Sequence, residues 1–74
     1  MDKERLALLA KAYDAEINAA LSRSPLWLMQ TKSKLATKMV KEGLLSKCEV
    51  TVHGIHYEGY ELTHAGRMMF CMEL

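Results

Sequence analysis

The chain has 74 residues, of which 50% are hydrophobic and 26% charged, with a formal net charge of +1. That apolar content excludes a disordered polyelectrolyte, and no apolar run reaches the ~20 residues that span a bilayer, so no membrane segment is expected. The length fits a single small domain, residues 1–74, with a modest core that leans on a partner or on a second copy. Two cysteines without framework spacing, in a chain whose start does not read as a secretion signal, point to reduced thiols in a cytoplasm.

The balanced total hides a segregation of charge. Residues 30–47 carry Lys32, Lys34, Lys38, Lys41 and Lys47 against Glu42, a local +4. Residues 48–74 carry Glu49, Glu58, Glu61 and Glu73 against Arg67, a local −3.

In chain order, Asp2 to about Leu21 reads as a long helix. Leu6, Leu9, Ala10, Tyr13, Ile17, Ala20 and Leu21 recur at helical spacing, and Asp2 is a suitable N-cap. Leu8 and Ala12 widen the apolar stripe beyond what one small domain should cover, which predicts a homodimer through residues 2–21. Ser22-Arg-Ser-Pro25 breaks the pattern. Ser24 before Pro25 predicts a short helical turn over residues 25–29, with Trp27 as a core plug.

Thr31 or Ser33 caps the next helix, which runs to about Glu42 and stops at Gly43. At the ~100° step of an α-helix, Lys34, Lys38 and Lys41 share one side, flanked by Thr37. Leu35, Ala36, Met39 and Val40 take the other. Cys48, Val50 and Val52 alternate as a strand, His53-Gly54 reads as a two-residue turn, and Ile55, Tyr57, Tyr60 and Leu62 mark the return strand. The apolar parity flips between Tyr57 and Tyr60, which predicts a bulge at Glu58-Gly59. Thr63 caps a last short helix held down by Met68, Met69, Phe70 and Met72, with Cys71 as a small apolar filler. Leu9, Tyr13, Ile17, Trp27, Leu35, Met39, Val40 and Leu44 form the expected core. The fold class is therefore α+β, mainly α with a β-hairpin, in the order helix, short helix, helix, strand, strand, helix.

A lysine helix that ends in Gly43-Leu44-Leu45, a two-stranded segment over residues 46–61, and Leu62-Thr63-His64-Ala65-Gly66-Arg67 opening the next helix are found together here. Over about residues 34–70 this resembles winged-helix proteins of the MarR and PadR kind. The resemblance implies a small winged-helix domain, with Lys34, Thr37, Lys38 and Lys41 facing a DNA groove and His53 to His56 at the wing tip.

The lysine ridge serves either as a phosphate-contacting face or as a merely solvated one. It lacks arginine, asparagine and glutamine for bidentate base reading, so its contacts would be to phosphate. Cys48, His53 and His56 are spaced too unevenly to converge on one face, and no Cys-x-x-Cys is present, so no metal is expected. No phosphate loop, nucleophile elbow or apolar pair of carboxylates points to catalysis or to a cofactor.

Two functions compete. One is a DNA-binding regulator of transcription that binds double-stranded DNA through Lys32, Lys34, Thr37, Lys38, Lys41 and Lys47, with His53, His56 and Tyr57 on the wing as a secondary surface. The other is a protein-binding module of phage or mobile-element type that blocks or adapts a host machine. Low net charge, the short Ser22–Gln30 segment and Tyr57 and Tyr60 as aromatic anchors favour the second.

Overall fold

The computed structural model describes residues 2–73. Three helices and one antiparallel hairpin follow in the order α1 (Lys3–Ser22), α2 (Lys34–Lys41), β1 (Leu45–Val52), β2 (Ile55–Leu62) and α3 (His64–Met72). The α+β class with a hairpin between helices is thus the one expected. No helix of the described residues is long and apolar enough to cross a membrane.

Asp2 caps α1 by accepting the Arg5 amide at 2.8 Å. Leu9, Ala12 and Ala19 are buried, and Leu6, Leu8, Ala10, Tyr13 and Ala15 pack against the core. The wide stripe on α1 is therefore covered within the chain. Ile17 and Leu21 lie outside it, at 38% and 80% exposure. Ile17 is a correction to the expected core: at the ~100° helical step it lies about 200° round the helix from Ala19, which is buried two residues later, so the chain covers the Ala19 side of α1 there and not the Ile17 side.

The predicted short helix does not form. Residues 24–33 form no helix, and Met29 exchanges two backbone hydrogen bonds of 2.9 Å with Tyr60 on the outer edge of β2. Ser24 accepts the Leu26 amide without starting a helix. One isolated turn would fix several dihedrals for a single hydrogen bond, whereas pairing with a preformed strand satisfies both polar groups of Met29 at once. This path buries Leu28 and Met29 and turns Trp27 outward at 36% exposure. Its indole N–H donates to Glu61 at 2.9 Å, so Trp27 lies across the sheet rather than plugging the core.

The hairpin carries no bulge. Its register is continuous from Leu45↔Leu62 to Val52↔Ile55, closed by His53 and Gly54 at φ 52° and 78°. Two positive φ values are the signature of a tight type I′ turn. Tyr57 and Tyr60 consequently point to opposite faces. Tyr60 shares the Leu45 and Leu62 face, which packs into the helices; Tyr57 shares the face of Val50 and Cys48. The parity flip has a different cause from a bulge: the base of the hairpin is covered on both faces. The second cover is the segment around Leu28 and Met29, which Gly59 approaches so closely that a Cβ there would lie 2.6 Å from the Leu28 Cβ.

In α3, Phe70 is buried and its ring centroid stands 5.2 Å from that of Tyr13. Met68, Met69 and Met72 are exposed, as is Cys71, so a single aromatic fastens this helix rather than a methionine cluster. Arg67 reinforces it with a forked pair to Glu16 of α1 at 2.9 and 3.2 Å. Thr63 caps α3 by accepting the Gly66 amide at 3.0 Å and donates to the Gly43 carbonyl at 2.5 Å. Gly66 lies against the carbonyl of Leu44, where an added Cβ would meet the oxygen at 2.0 Å.

Gly66→Ala should therefore cost stability at or beyond the upper end of the ~1–3 kcal/mol of ordinary overpacking, because the obstacle is backbone. In a domain of this size that corresponds to a melting point lower by about 10 °C or more. Gly59→Ala should also destabilise, since the Met29 carbonyl oxygen would lie only 2.9 Å from the added carbon. Thermal melts of both variants check this; a wild-type melting point for Gly66→Ala would mean that α3 does not seat on Leu44.

Candidate nucleic-acid interface

The lysine ridge is built by α2. Thr31 accepts the Ser33 amide and Ser33 accepts the Leu35 amide, each at 3.2 Å, so the chain enters the helix through two short side-chain bonds. It leaves through a Schellman turn: Gly43 N–H bonds the Val40 carbonyl at 3.1 Å and Leu44 N–H bonds the Met39 carbonyl at 3.0 Å. Gly43 takes the left-handed φ of 81° that this turn demands. Ala36 and Met39 are buried to the full, and Leu35 and Val40 are half-buried. Lys34, Thr37, Lys38 and Lys41 are exposed on the other side.

These lysines are not tied down. Among the described residues no ion pair holds Lys32, Lys34, Lys38, Lys41 or Lys47. The one carboxylate at the end of the helix, Glu42, is claimed by Arg5 of α1, with Nε to Oε1 at 3.0 Å and Nη2 to Oε2 at 2.6 Å. Arg5 also pairs with Asp2. The hydrogen bonds from Arg5 hold the Glu42 carboxyl below its usual range, and the Arg5 amide does the same for Asp2. Those bonds, to Glu42 first and then Asp2, raise the Arg5 guanidinium in turn. Lys38 and Lys41 also lie in the last turn of α2, where positive charge favours the helix dipole.

The remaining expected residues do not join one surface. Lys32 is exposed ahead of α2, and Lys47 is exposed on β1 opposite Tyr60. At the hairpin, His53 occupies the turn. His56 falls on one face and Tyr57 on the other, where Tyr57 pairs with Val50. The wing tip thus presents two chemically different sides. Ile55 is 55% exposed beside half-buried Val50, Val52 and Tyr57 on the apolar side.

The opposite side holds a group that reading the sequence along its length does not reveal. Glu49 and Glu58 stand directly across from one another, and His56 Nε2 lies 3.9 Å from Glu49 and 3.8 Å from Glu58. The three ligand atoms lie within 4.8 Å of one another on exposed side chains, the one such cluster among the described residues that has the spacing to hold a metal ion. The signal was the turn: once His53-Gly54 is placed, the register brings residues 49 and 58 together. Cys48 lies on the other face, with its thiol 3.3 Å from Glu61. Burial first, and then that carboxylate, push the Cys48 thiol up, so it stays protonated at neutral pH. The described residues enclose no pocket.

Comparison with protein-family models, with curated proteins and with solved structures finds no match for this chain.

The Arg5 fork predicts an acid-sensitive contact between α1 and α2. The folded pKa values of Glu42 and Asp2 lie below their ordinary 4.5 and 3.8, so their contribution is present above those values and is lost as pH falls through the lowered ones. Melting temperature should hold steady from neutral pH to about 5 and decline below it. Glu42→Gln should lower the neutral melting point and flatten that acid limb; an unchanged acid limb would mean that Arg5 does not hold Glu42.

Proposed function

We propose that this chain is a small winged-helix-like DNA-binding domain that contacts duplex phosphates through α2, in the role of a transcriptional regulator in the cytoplasm. The observation that carries the reading is the exposed lysine ridge: Lys34, Lys38 and Lys41 lie together beside Thr37 without direct ion pairs, and the Glu42 carboxylate is hydrogen-bonded to Arg5. Lysine reaches phosphate as a point charge and reads base edges poorly, so binding would be largely independent of sequence. Lys32 and Lys47 would add phosphate contacts from the flanks. The hairpin contributes less, because the carboxylates of Glu49 and Glu58 flank His56 and repel a phosphate backbone.

A specific observation favours a second reading. The exposed Ile55 and half-buried Val50, Val52 and Tyr57 make one face of the hairpin apolar. That face suits a protein partner with Tyr57 as an anchor, as in a module that blocks or adapts a larger machine. Half-buried Tyr60 faces the helices and is not available for this role.

Lys38→Ala should weaken binding to all duplexes alike and reduce the slope of log affinity against log salt by about 0.9, the share of one phosphate contact. Fluorescence anisotropy on random-sequence duplexes at two salt concentrations measures both. Absence of wild-type binding at low salt, where lysine–phosphate attraction is strongest, would sink the DNA reading. Loss of partner capture in a Tyr57→Ala variant would then support the second.

A further inference from the structure

The outer edge of β1 is an unpaired strand. The two-residue turn makes Val52↔Ile55 a hydrogen-bonded pair, and the pairs alternate from there. Tyr60 confirms the phase, since both its backbone groups turn away from β1 to bond Met29. Lys47, Glu49 and Thr51 must therefore aim their N–H and C=O groups away from β2. Among the described residues no hydrogen bond satisfies them. Such an edge is a template for another strand, and its charge pattern determines which.

We propose that the β1 edge pairs antiparallel with the β1 edge of a second copy, about a two-fold axis at Cys48, to make a four-stranded sheet. Outward groups must meet outward groups, which limits the symmetric registers to a few. An axis at Lys47 sets lysine against lysine, and an axis at Glu49 sets glutamate against glutamate. An axis at Thr51 or Val50 gives no opposite-charge rung between these residues. The axis at Cys48 sets Lys47 against the partner's Glu49 and Glu49 against the partner's Lys47, two complementary rungs from one symmetry.

The same pairing bears on a feature of the single chain. Glu49 faces Glu58 directly, and like charges across a rung destabilise a hairpin. Within the chain His56 alone stands beside both carboxylates, and the partner's Lys47 adds a second basic group on that face. On the opposite face the pairing sets Cys48 against the partner's Cys48 and Val50 against the partner's Ser46. This proposal rests on β1, whereas the main surface of the DNA reading is α2; the two share only Lys47, and β1 replaces α1 as the surface for self-association.

Charge exchange tests it. Lys47→Glu and Glu49→Lys should each convert a two-chain mass to a one-chain mass by light scattering, while circular dichroism stays native; Glu49→Lys also relieves the clash with Glu58. The double variant Lys47→Glu/Glu49→Lys should regain the two-chain mass. In a Cys71→Ser background, the two Cys48 thiols would oppose each other at about 4.5 Å between Cα atoms, within disulfide reach. Diamide, which takes up the two hydrogens released as the sulfurs join, should then give a covalent dimer through Cys48. A one-chain wild type at high micromolar concentration overturns the proposal. So does a dimer that survives both single changes, or a double variant that remains a single chain.

Discussion

The close approach of α3 to the end of α2 is the constraint on which the rest of the structure depends. Gly66 lies where only a hydrogen fits against the Leu44 carbonyl. Thr63 uses its hydroxyl twice, accepting from Gly66 and donating to Gly43, and its own amide bonds the Leu44 carbonyl at 3.3 Å. The turn that stops one helix is thus the seat on which another begins. The hairpin between them has both ends held at one point, and its length is free to project. The Leu-Thr-x-x-Gly-Arg run has a physical meaning here in each part: Leu62 enters the core, Thr63 caps and clasps, Gly66 allows contact, and Arg67 ties α3 to Glu16.

The direction of α2 follows from contacts that involve none of its lysines. Arg5 grips Glu42 at the helix end, Thr63 grips Gly43 one residue later, and Ala36 and Met39 are driven inward by burial. Two of the ion pairs among the described residues join helices, Arg5 from α1 to the end of α2 and Arg67 from α3 to α1. What is left for solvent or a ligand is the charge not used in assembly. On α2 that residue of charge is positive; on one face of the hairpin it is negative. A chain of nearly neutral total charge therefore presents two surfaces of opposite sign.

The hairpin shows how a regular ladder can look irregular in sequence. The shift of apolar parity between Tyr57 and Tyr60 invites an extra residue, yet the register is unbroken. Each tyrosine meets a different cover, Tyr60 the helices and Tyr57 the apolar neighbours Val50 and Val52. A strand buried on opposite faces along its length does not keep one alternation. The cross-strand group of Glu49, His56 and Glu58 was hidden for a related reason, since its members become neighbours only when the register is known.

Local chemistry was sufficient for much of the architecture. Asp2, Ser33 and Thr63 cap helices with their own side chains, Gly43 and His53-Gly54 take the positive φ values that turns require, and the 3.6-residue spacing of α2 separates lysines from Ala36 and Met39. These effects act within a few residues, so the sequence by itself determined the helices, the hairpin turn and the ridge. Tertiary structure decided the rest. Trp27 reads as core until Met29 pairs with Tyr60 and keeps residues 25–29 out of a helix. Ile17 fits the apolar stripe yet stays outside, because at that end of α1 the chain covers the side that carries Ala19. Whether a face is covered depends on what a distant segment brings to it, and periodicity carries no information about that.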